Sequence, residues 1–310
     1  MRTLVMTGGT RGLGRHVVEK VLARPDWRVL LLGRPAPASL APELRPHPRL
    51  EMIEADLADL RSVDGACGEV LQRMGGARIA ALSLNAGVQH SQGDMASHDG
   101  FEIHFAVNHL AHALIADRLA PHVERGGRIV VTSSVVHDPT AFCIIGISRA
   151  TWQDPYLLAD PARSQSHVRW QVNRGESRYS ASKLCNVMLA RALARDLPDL
   201  AVVSFNPSVV PGTGIARERS AFQRFLWSSV APPLSGILPG MRHVDVSSSD
   251  LAWLLLDADL SAASGGYYDG RNLSPGSPES RDGVKIDRLM LVTRELIGTV
   301  LGRERLFAIA

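Results

Sequence analysis

Cysteine and lysine are equally scarce in this chain, and no hydrophobic run is long. The three cysteines, Cys67, Cys143 and Cys185, stand far apart, with no Cys-x-x-Cys pair and no His/Cys cluster. Such scatter argues against a disulfide framework and a structural zinc, so no metal is expected, and it fits a reducing cytoplasm. No apolar stretch approaches the roughly 20 residues that a membrane-spanning helix needs. Met1-Arg2-Thr3 runs straight into an apolar strand, which leaves no room for a signal peptide. An excess of one charge is also missing: the net charge is +3 and the basic residues are dispersed, so no nucleic-acid footprint is expected. Of 34 lysines and arginines, only Lys20, Lys183 and Lys285 are lysines, a bias that fits a GC-rich genome. No repeat of short fixed period occurs. What is present is 310 residues, 45% of them hydrophobic, enough to bury the core of one large α/β domain spanning residues 1–310.

The chain is organised around Thr7-Gly8-Gly9-Thr10-Arg11-Gly12-Leu13-Gly14. The apolar run Leu4-Val5-Met6 before it reads as a buried strand. Val17, Val18, Val21 and Leu22 after it mark one face of a helix. Strand, glycine loop and helix in that order make a dinucleotide-binding turn, with a pyrophosphate resting on the helix N-terminus. The spacing of Gly8, Gly12 and Gly14 is G-x-x-x-G-x-G rather than the commoner G-x-G-x-x-G.

Further along, residues 27–32, 50–53, 78–84, 128–132 and 202–205 read as strands, and Gly266-Tyr267-Tyr268 as a last one. Helical stretches are expected over about 60–74, 101–123, 179–195, 249–256 and 282–302. The prolines at 35, 37, 42, 46 and 48 exclude a helix or central strand from that stretch. Alternation of strands and helices predicts right-handed βαβ units in a parallel, doubly wound sheet. The polar side chains of interest fall at strand C-termini, where such sheets bind ligands.

The strongest chemical signal is Tyr179-Ser180-Ala181-Ser182-Lys183. Positions four apart share a helix face, so the Tyr179 phenol and the Lys183 ammonium can point into one site. A free phenol has a pKa of about 10, and a nearby cation lowers it by roughly 1–3 units. Ser134, at the end of the fifth strand, is placed to donate from the other side. The result is a phenol tuned to pass a proton to a carbonyl oxygen.

The order of the glycine loop, Asp56-Leu57, Asn85-Ala86-Gly87, Asn108, Ser134 and Tyr179/Lys183 resembles the short-chain dehydrogenase/reductase family, over at least residues 3–217. The resemblance implies a Rossmann-type, seven-stranded parallel sheet with helices on both faces, binding a nicotinamide cofactor. It implies a catalytic tetrad of Asn108, Ser134, Tyr179 and Lys183. Tyr179 would be the acid/base, Ser134 would hold the substrate oxygen, Lys183 would also grip the nicotinamide ribose, and Asn108 would hold a relay water. Ser133 is the fallback for Ser134. Cofactor contacts are implied for Thr7, Gly8, Thr10, Arg11, Gly12, Leu13, Gly14, Asn85, Ala86 and Gly87, with Asp56 on the adenine amino group and Leu57 beside it. Asn206-Pro207-Ser208-Val209-Val210 follows the sixth strand where the family has Pro-Gly, so Ser208 departs from it. Pro207 is preferred over Pro211 as the match, with Val210 and Thr213 holding the carboxamide. Thr213-Gly214-Ile215-Ala216-Arg217 and Ser182-Lys183-Leu184-Cys185-Asn186 resemble the retinol dehydrogenase and protochlorophyllide reductase branch.

The second strand ends at Gly33-Arg34 with no acidic residue to hold a 2′-hydroxyl, and Arg11 lies inside the glycine loop. Arginines suit a 2′-phosphate, so NADP(H) is expected over NAD(H). The expected activity is hydride transfer between NADPH and a carbonyl or alcohol. Reduction of an activated C=C bond and a non-catalytic NADP sensor are the alternatives, and the intact tetrad speaks against the sensor.

Between Ser134 and Tyr179 lies a long insert, 137–176. Phe142, Ile144, Ile145, Ile147, Trp152, Tyr156, Leu157, Leu158 and Trp170 make it too apolar for disorder. Trp152, Tyr156 or Trp170, with a cap at 216–245, are expected to wall a pocket for a fairly large, partly apolar substrate. The resemblance implies tetramers paired through the helices bearing Asn108 and Tyr179, and the insert is expected to hinder that contact and favour a monomer or small homo-oligomer. Phe222, Phe225, Leu226 and Val230 fall at helical spacing and give an apolar face, read first as a substrate lid, then as an oligomer contact, then as a membrane-surface patch. His104, His109 and His112 are expected on a helix surface rather than at a metal, Cys185 within a buried helix face, and Asp257, Asp259 and Asp269 as solvated loop charges.

Overall fold

In a computed structural model, residues 1–34, 47–91, 94–140, 150–168, 171–210 and 240–303 are described. Cys143, Phe142, Ile144, Ile145, Ile147, Trp170, Thr213 and the four apolar cap residues lie outside them.

Eight strands form one sheet in the order β3-β2-β1-β4-β5-β6-β7-β8. They are β1 (Arg2–Thr7), β2 (Trp27–Gly33), β3 (Leu50–Glu54), β4 (Ile79–Leu84), β5 (Val123–Thr132), β6 (Ala201–Asn206), β7 (Tyr267–Asp269) and β8 (Asn272–Ser274). The first seven pair in parallel, as expected. The eighth returns antiparallel to β7, with Tyr267 opposite Ser274 and Asp269 opposite Asn272. Its two-residue turn uses Gly270 at φ 61°, a conformation open to glycine but strained for other residues.

The direction of strand order reverses between β1 and β4, so the C-terminal ends of these two strands flank the crevice where open sheets bind ligands. Both sheet faces are covered, which is why the central strands are continuous apolar runs: Leu4, Val5 and Met6 are fully buried. On one face pack α2 (Leu60–Met74), α4 (Ala111–Leu119) and α6 (Gln171–Asp196), with α8 (Gly283–Leu301) behind them. On the other pack α1 (Gly12–Leu22) and α7 (Val244–Leu256).

Three helix boundaries differ from the expectation. α6 starts at Gln171, two turns before Tyr179, so the insert ends where this helix begins. Its first turns are polar and carry no apolar period, and Gly175 packs so tightly that a Cβ there would lie 2.4 Å from the His90 carbonyl oxygen. α7 starts at Val244, within the expected cap. The helix expected over 101–123 is composite: α3 (Ile103–Phe105), a π-helical turn (Ala106–Leu110) and then α4. Asn108 sits in the π-helical turn, an arrangement that widens a helix and often marks a functional site. α5 (Pro155–Ala159) is a short helix within the insert.

Candidate active site

The glycine loop is shaped by contacts that leave no room for side chains. A Cβ on Gly8, at φ 71°, would come within 2.7 Å of Ala86 Cα, and one on Gly14 within 2.1 Å of the Gly8 carbonyl oxygen. Asn85 holds the loop from the neighbouring strand: its Nδ2 donates to the carbonyls of Thr7 (3.3 Å) and Gly8 (3.1 Å). Its Oδ1 accepts from Thr132 Oγ1 at 3.2 Å. The first turn of α1 has no side-chain cap and no acidic residue. Its amide groups and positive dipole end therefore suit an anion, and the cradle fits a dinucleotide pyrophosphate.

The other expected cofactor contacts ring this cradle. Thr10, Gly12 and Leu13 are half-buried, while Arg11 and Arg34 are exposed. Asp56 Oδ1 accepts from the Ala58 amide, which orients the carboxylate, and Leu57 packs on the core. Ser208 adopts φ 63°, the left-handed conformation that glycine favours. The resemblance implies glycine at this position, and Ser208 takes up the backbone conformation that a glycine would adopt there. Val210 is buried next to it.

Tyr179 and Lys183 do share one face of α6. The Lys183 ammonium lies 5.7 Å from the centroid of the half-buried Tyr179 ring. Its Nζ donates to the Thr132 carbonyl at 3.1 Å. Burial alone pulls the Lys183 pKa down to about 8, because an ammonium out of water loses its hydration. Gly87 leaves this space open: a Cβ there would lie 3.2 Å from Asn108 Oδ1 and 3.3 Å from Lys183 Nζ.

Ser133 donates its hydroxyl to the Lys183 carbonyl at 2.7 Å and is buried, which commits it to holding α6. Ser134 is half-buried and one step nearer the crevice, with its carbonyl accepting from His137 Nδ1 at 2.7 Å. Asn108 uses its whole side chain as a brace. Oδ1 accepts from the Val88 amide (2.8 Å), and Nδ2 donates to the Val88 carbonyl (3.1 Å) and to Ser182 Oγ (2.9 Å). Ser182 in turn donates to the Tyr179 carbonyl at 2.7 Å. The π-helical turn, the 85–88 loop and the Tyr179 helix are thus tied together.

The helix histidines are not on a surface: His104 is 2% exposed and His109 and His112 are fully buried. A neutral imidazole buries readily when its nitrogens are bonded, and a pattern that counts histidine as polar misses this. His104 Nδ1 donates to Glu102 Oε1 at 2.6 Å, its Nε2 accepts from the His90 amide, and its ring meets the Tyr179 ring edge-on at 6.4 Å. Arg178, beside Tyr179, is likewise buried. It donates to the Ser164 carbonyl (3.0 Å) and to Asp94 (2.8 Å), tying the insert to α6.

Two of the expected pocket walls face elsewhere. Trp152 packs against the core with Lys285 over its ring, and Tyr156 bonds Glu295 with Arg288 over its ring. Both partners' helix is α8, so these aromatics serve the scaffold. Asp269 is not a lone solvated charge either: it accepts from Asn206 Nδ2 at 3.0 Å and pairs with Arg242. Cys185 is buried within α6, as expected, and burial raises its thiol pKa. Among the described residues, no cluster of His, Cys, Asp and Glu could hold a metal, and no helix is long and apolar enough to cross a membrane.

Comparison with known proteins identifies the family. The family profile for short chain dehydrogenases matches residues 2–143. A Streptomyces sp. (strain C5) protein named "Putative daunorubicin C-13 ketoreductase DnrU" is 31% identical over 287 residues, covering 91% of this chain and 87% of that one. Retinol dehydrogenase 14 of Mus musculus is 27% identical over 323 residues, covering 96% and 86%. Among solved structures, NADPH-bound carbonyl reductase from chicken fatty liver superposes with a TM-score of 0.61 at 19% identity, covering 89% of this chain and 98% of that one. With its fold and its ordered motifs, the chain belongs to the short-chain dehydrogenase family and is similar within it to the retinol dehydrogenases.

Proposed function

We propose that this chain interconverts a carbonyl and an alcohol on a fairly large, partly apolar small molecule, using NADP(H). The observation that carries the proposal is the buried Lys183 ammonium beneath the Tyr179 ring on one face of α6. Thr7, Gly8, Thr10, Arg11, Gly12, Leu13 and Gly14 would hold the pyrophosphate end. Asp56 and Leu57 would hold the adenine, Asn85, Ala86 and Gly87 its ribose, and Pro207 and Val210 the nicotinamide end. Thr213, expected beside them, lies outside the described residues. A nicotinamide held there would supply a hydride for the carbonyl carbon.

This chain's own residues handle the proton. Tyr179 gives its phenolic proton to the substrate oxygen during reduction and takes one back during oxidation. The Lys183 cation favours the phenolate that results. Ser134 donates a hydrogen bond to the same oxygen, and Asn108 holds its neighbours in register. Two relatives are named for daunorubicin C-13 and for retinol, which supports a bulky carbonyl or alcohol substrate. Arg34 after β2, without an acidic neighbour there, supports the 2′-phosphate.

The test is a panel of ketones and aldehydes, including daunorubicin and retinal, with NADPH oxidation followed by absorbance. Turnover of at least one, abolished by Tyr179→Phe, is the expected result. Tight NADPH binding with no turnover across the panel would instead leave a cofactor-binding protein without this activity.

A further inference from the structure

One fully buried side chain joins the glycine loop to the π-helical turn. His112, in the first turn of α4, has its Nδ1 3.0 Å from the Asn108 carbonyl oxygen and its Nε2 3.1 Å from Thr7 Oγ1. A carbonyl only accepts, so Nδ1 carries the ring proton and donates it. Burial, and then the charge of Lys183, hold the ring's pKa down to about 3, so the imidazole is neutral and Nε2 is bare. A bare nitrogen accepts, so the Thr7 hydroxyl donates to it. With its one proton committed, Thr7 Oγ1 accepts from the Asn85 and Ala86 amides, each at 3.0 Å. Every proton in the chain has one assignment: the Asn85 and Ala86 amides point to Thr7, Thr7 to His112, and His112 to Asn108.

We infer that His112 is a positioning residue that fixes the cofactor cradle at Thr7, Asn85 and Ala86 relative to the turn holding Asn108 beside Lys183. The inference rests on the site having the role given above. An apolar ring in its place would leave a buried hydroxyl proton on Thr7 without an acceptor and the Asn108 carbonyl without this donor. Thr7 would then turn its proton elsewhere and release one or both strand-end amides. Other buried histidines stand behind the site, but they bridge different parts: His104 joins Glu102 to the His90 amide, and His137 joins Ser134 to the Ser277 amide. His112 spans the cofactor side and the proton-transfer side.

The test uses the full chain with H112F and H112Q. Glutamine can donate an amide proton to Asn108 and accept from Thr7, whereas phenylalanine can do neither. H112F should weaken NADPH binding about tenfold, the scale of one buried hydrogen bond left unmade, and lower turnover at saturating NADPH by at least as much. H112Q should recover most of both. Nitrogen-15 NMR of labelled histidine should show His112 as the Nδ1–H tautomer at neutral pH, and T7V should move its Nε2 resonance while T7S should not. A lower melting temperature with unchanged NADPH affinity, a glutamine variant no better than phenylalanine, or an Nε2–H tautomer would each overturn the inference. If H112F does not fold, the tautomer and the T7V-against-T7S comparison of NADPH affinity decide it. Absence of carbonyl turnover in the unmodified protein would count against the proposed activity, while the binding and NMR results would still judge His112.

Discussion

Lys183 Nζ donates to the backbone carbonyl of Thr132, the last residue of β5, at 3.1 Å, while Asn186 Nδ2 donates to the same oxygen at 3.0 Å. One carbonyl thus sets the height of α6 against the sheet. It also helps to hold an ammonium out of water, where the lost hydration is a cost.

That burial makes Lys183 a source of instability with a definite pH signature. Its folded pKa of about 8 lies below the 10.5 of an unperturbed lysine. Below pH 8 the group is charged in both states and the full burial penalty, roughly 3 kcal/mol by linkage, is present. As pH rises from 8 to 10.5 the folded state releases its proton first and the penalty fades. Lys183→Met should therefore raise the melting temperature at pH 7, by less at pH 10, and abolish turnover. Asn186 continues to satisfy Thr132 in the variant. A lower melting temperature at pH 7 would show that the ammonium's contacts outweigh its desolvation.

Tyr179→Phe removes a single oxygen and keeps the ring that packs edge-on against His104. NADPH affinity should change little, while turnover should fall by a factor on the order of 10² or more, the size of a lost general acid. Stopped-flow binding and steady-state rates on the same preparation separate the two. Retention of most of the rate would place the proton donor elsewhere.

The parts legible in the sequence are those whose chemistry is contiguous. The strand, glycine loop and first helix were readable because their periods change within a few residues. The Tyr179/Lys183 pair was readable because a four-residue interval fixes a common helix face. The parts that were not legible depend on partners distant in the chain. The first turns of α6 are polar, and they are held by the close approach of Gly175 to the His90 carbonyl, which no period reveals. The β8 return is signalled only by Asp269-Gly270, a short turn signature at the sheet edge. Trp152 and Tyr156 are apolar enough to promise a wall, but composition does not say which surface an aromatic covers, and here it is α8. His109 and His112 each find a hydrogen-bond partner far away in the chain, Thr293 for the first and Thr7 for the second.

Cofactor choice should turn on Arg34. It is exposed immediately after β2, where a 2′-phosphate would be met by a guanidinium and a 2′-hydroxyl by a carboxylate. The unmodified chain should bind NADPH more tightly than NADH. Arg34→Asp should weaken NADPH by at least about tenfold, since one charge-assisted contact is lost and a repulsion gained, and should leave NADH affinity equal or better. Titrations of intrinsic fluorescence with both nucleotides give the ratio directly. Equal affinities in the unmodified protein would remove Arg34 as the determinant.

Acid should unfold this protein earlier than its surface charges suggest, through His109 and His112. Burial lowers each ring's pKa from 6.5 to about 3 in the folded chain. Above pH 6.5 both rings are neutral whether folded or not, so they do not bias the equilibrium. As pH falls below 6.5 the unfolded chain takes up protons that the folded chain refuses. Stability then declines by up to about 1.4 kcal/mol per pH unit for each histidine until the folded rings protonate near pH 3. His109 is the cleaner probe, since its Nδ1 has no hydrogen-bond partner among the described residues and its ring packs at a tilt against Phe105, centroids 5.0 Å apart. His109→Met keeps an apolar filling there, and Thr293 can turn its hydroxyl to a carbonyl of its own helix. Urea midpoints measured between pH 7 and pH 4.5 should fall less steeply in this variant, with the loss of one proton's uptake from the slope. An unchanged slope would mean that His109 is solvated in the folded chain and does not report on acid unfolding.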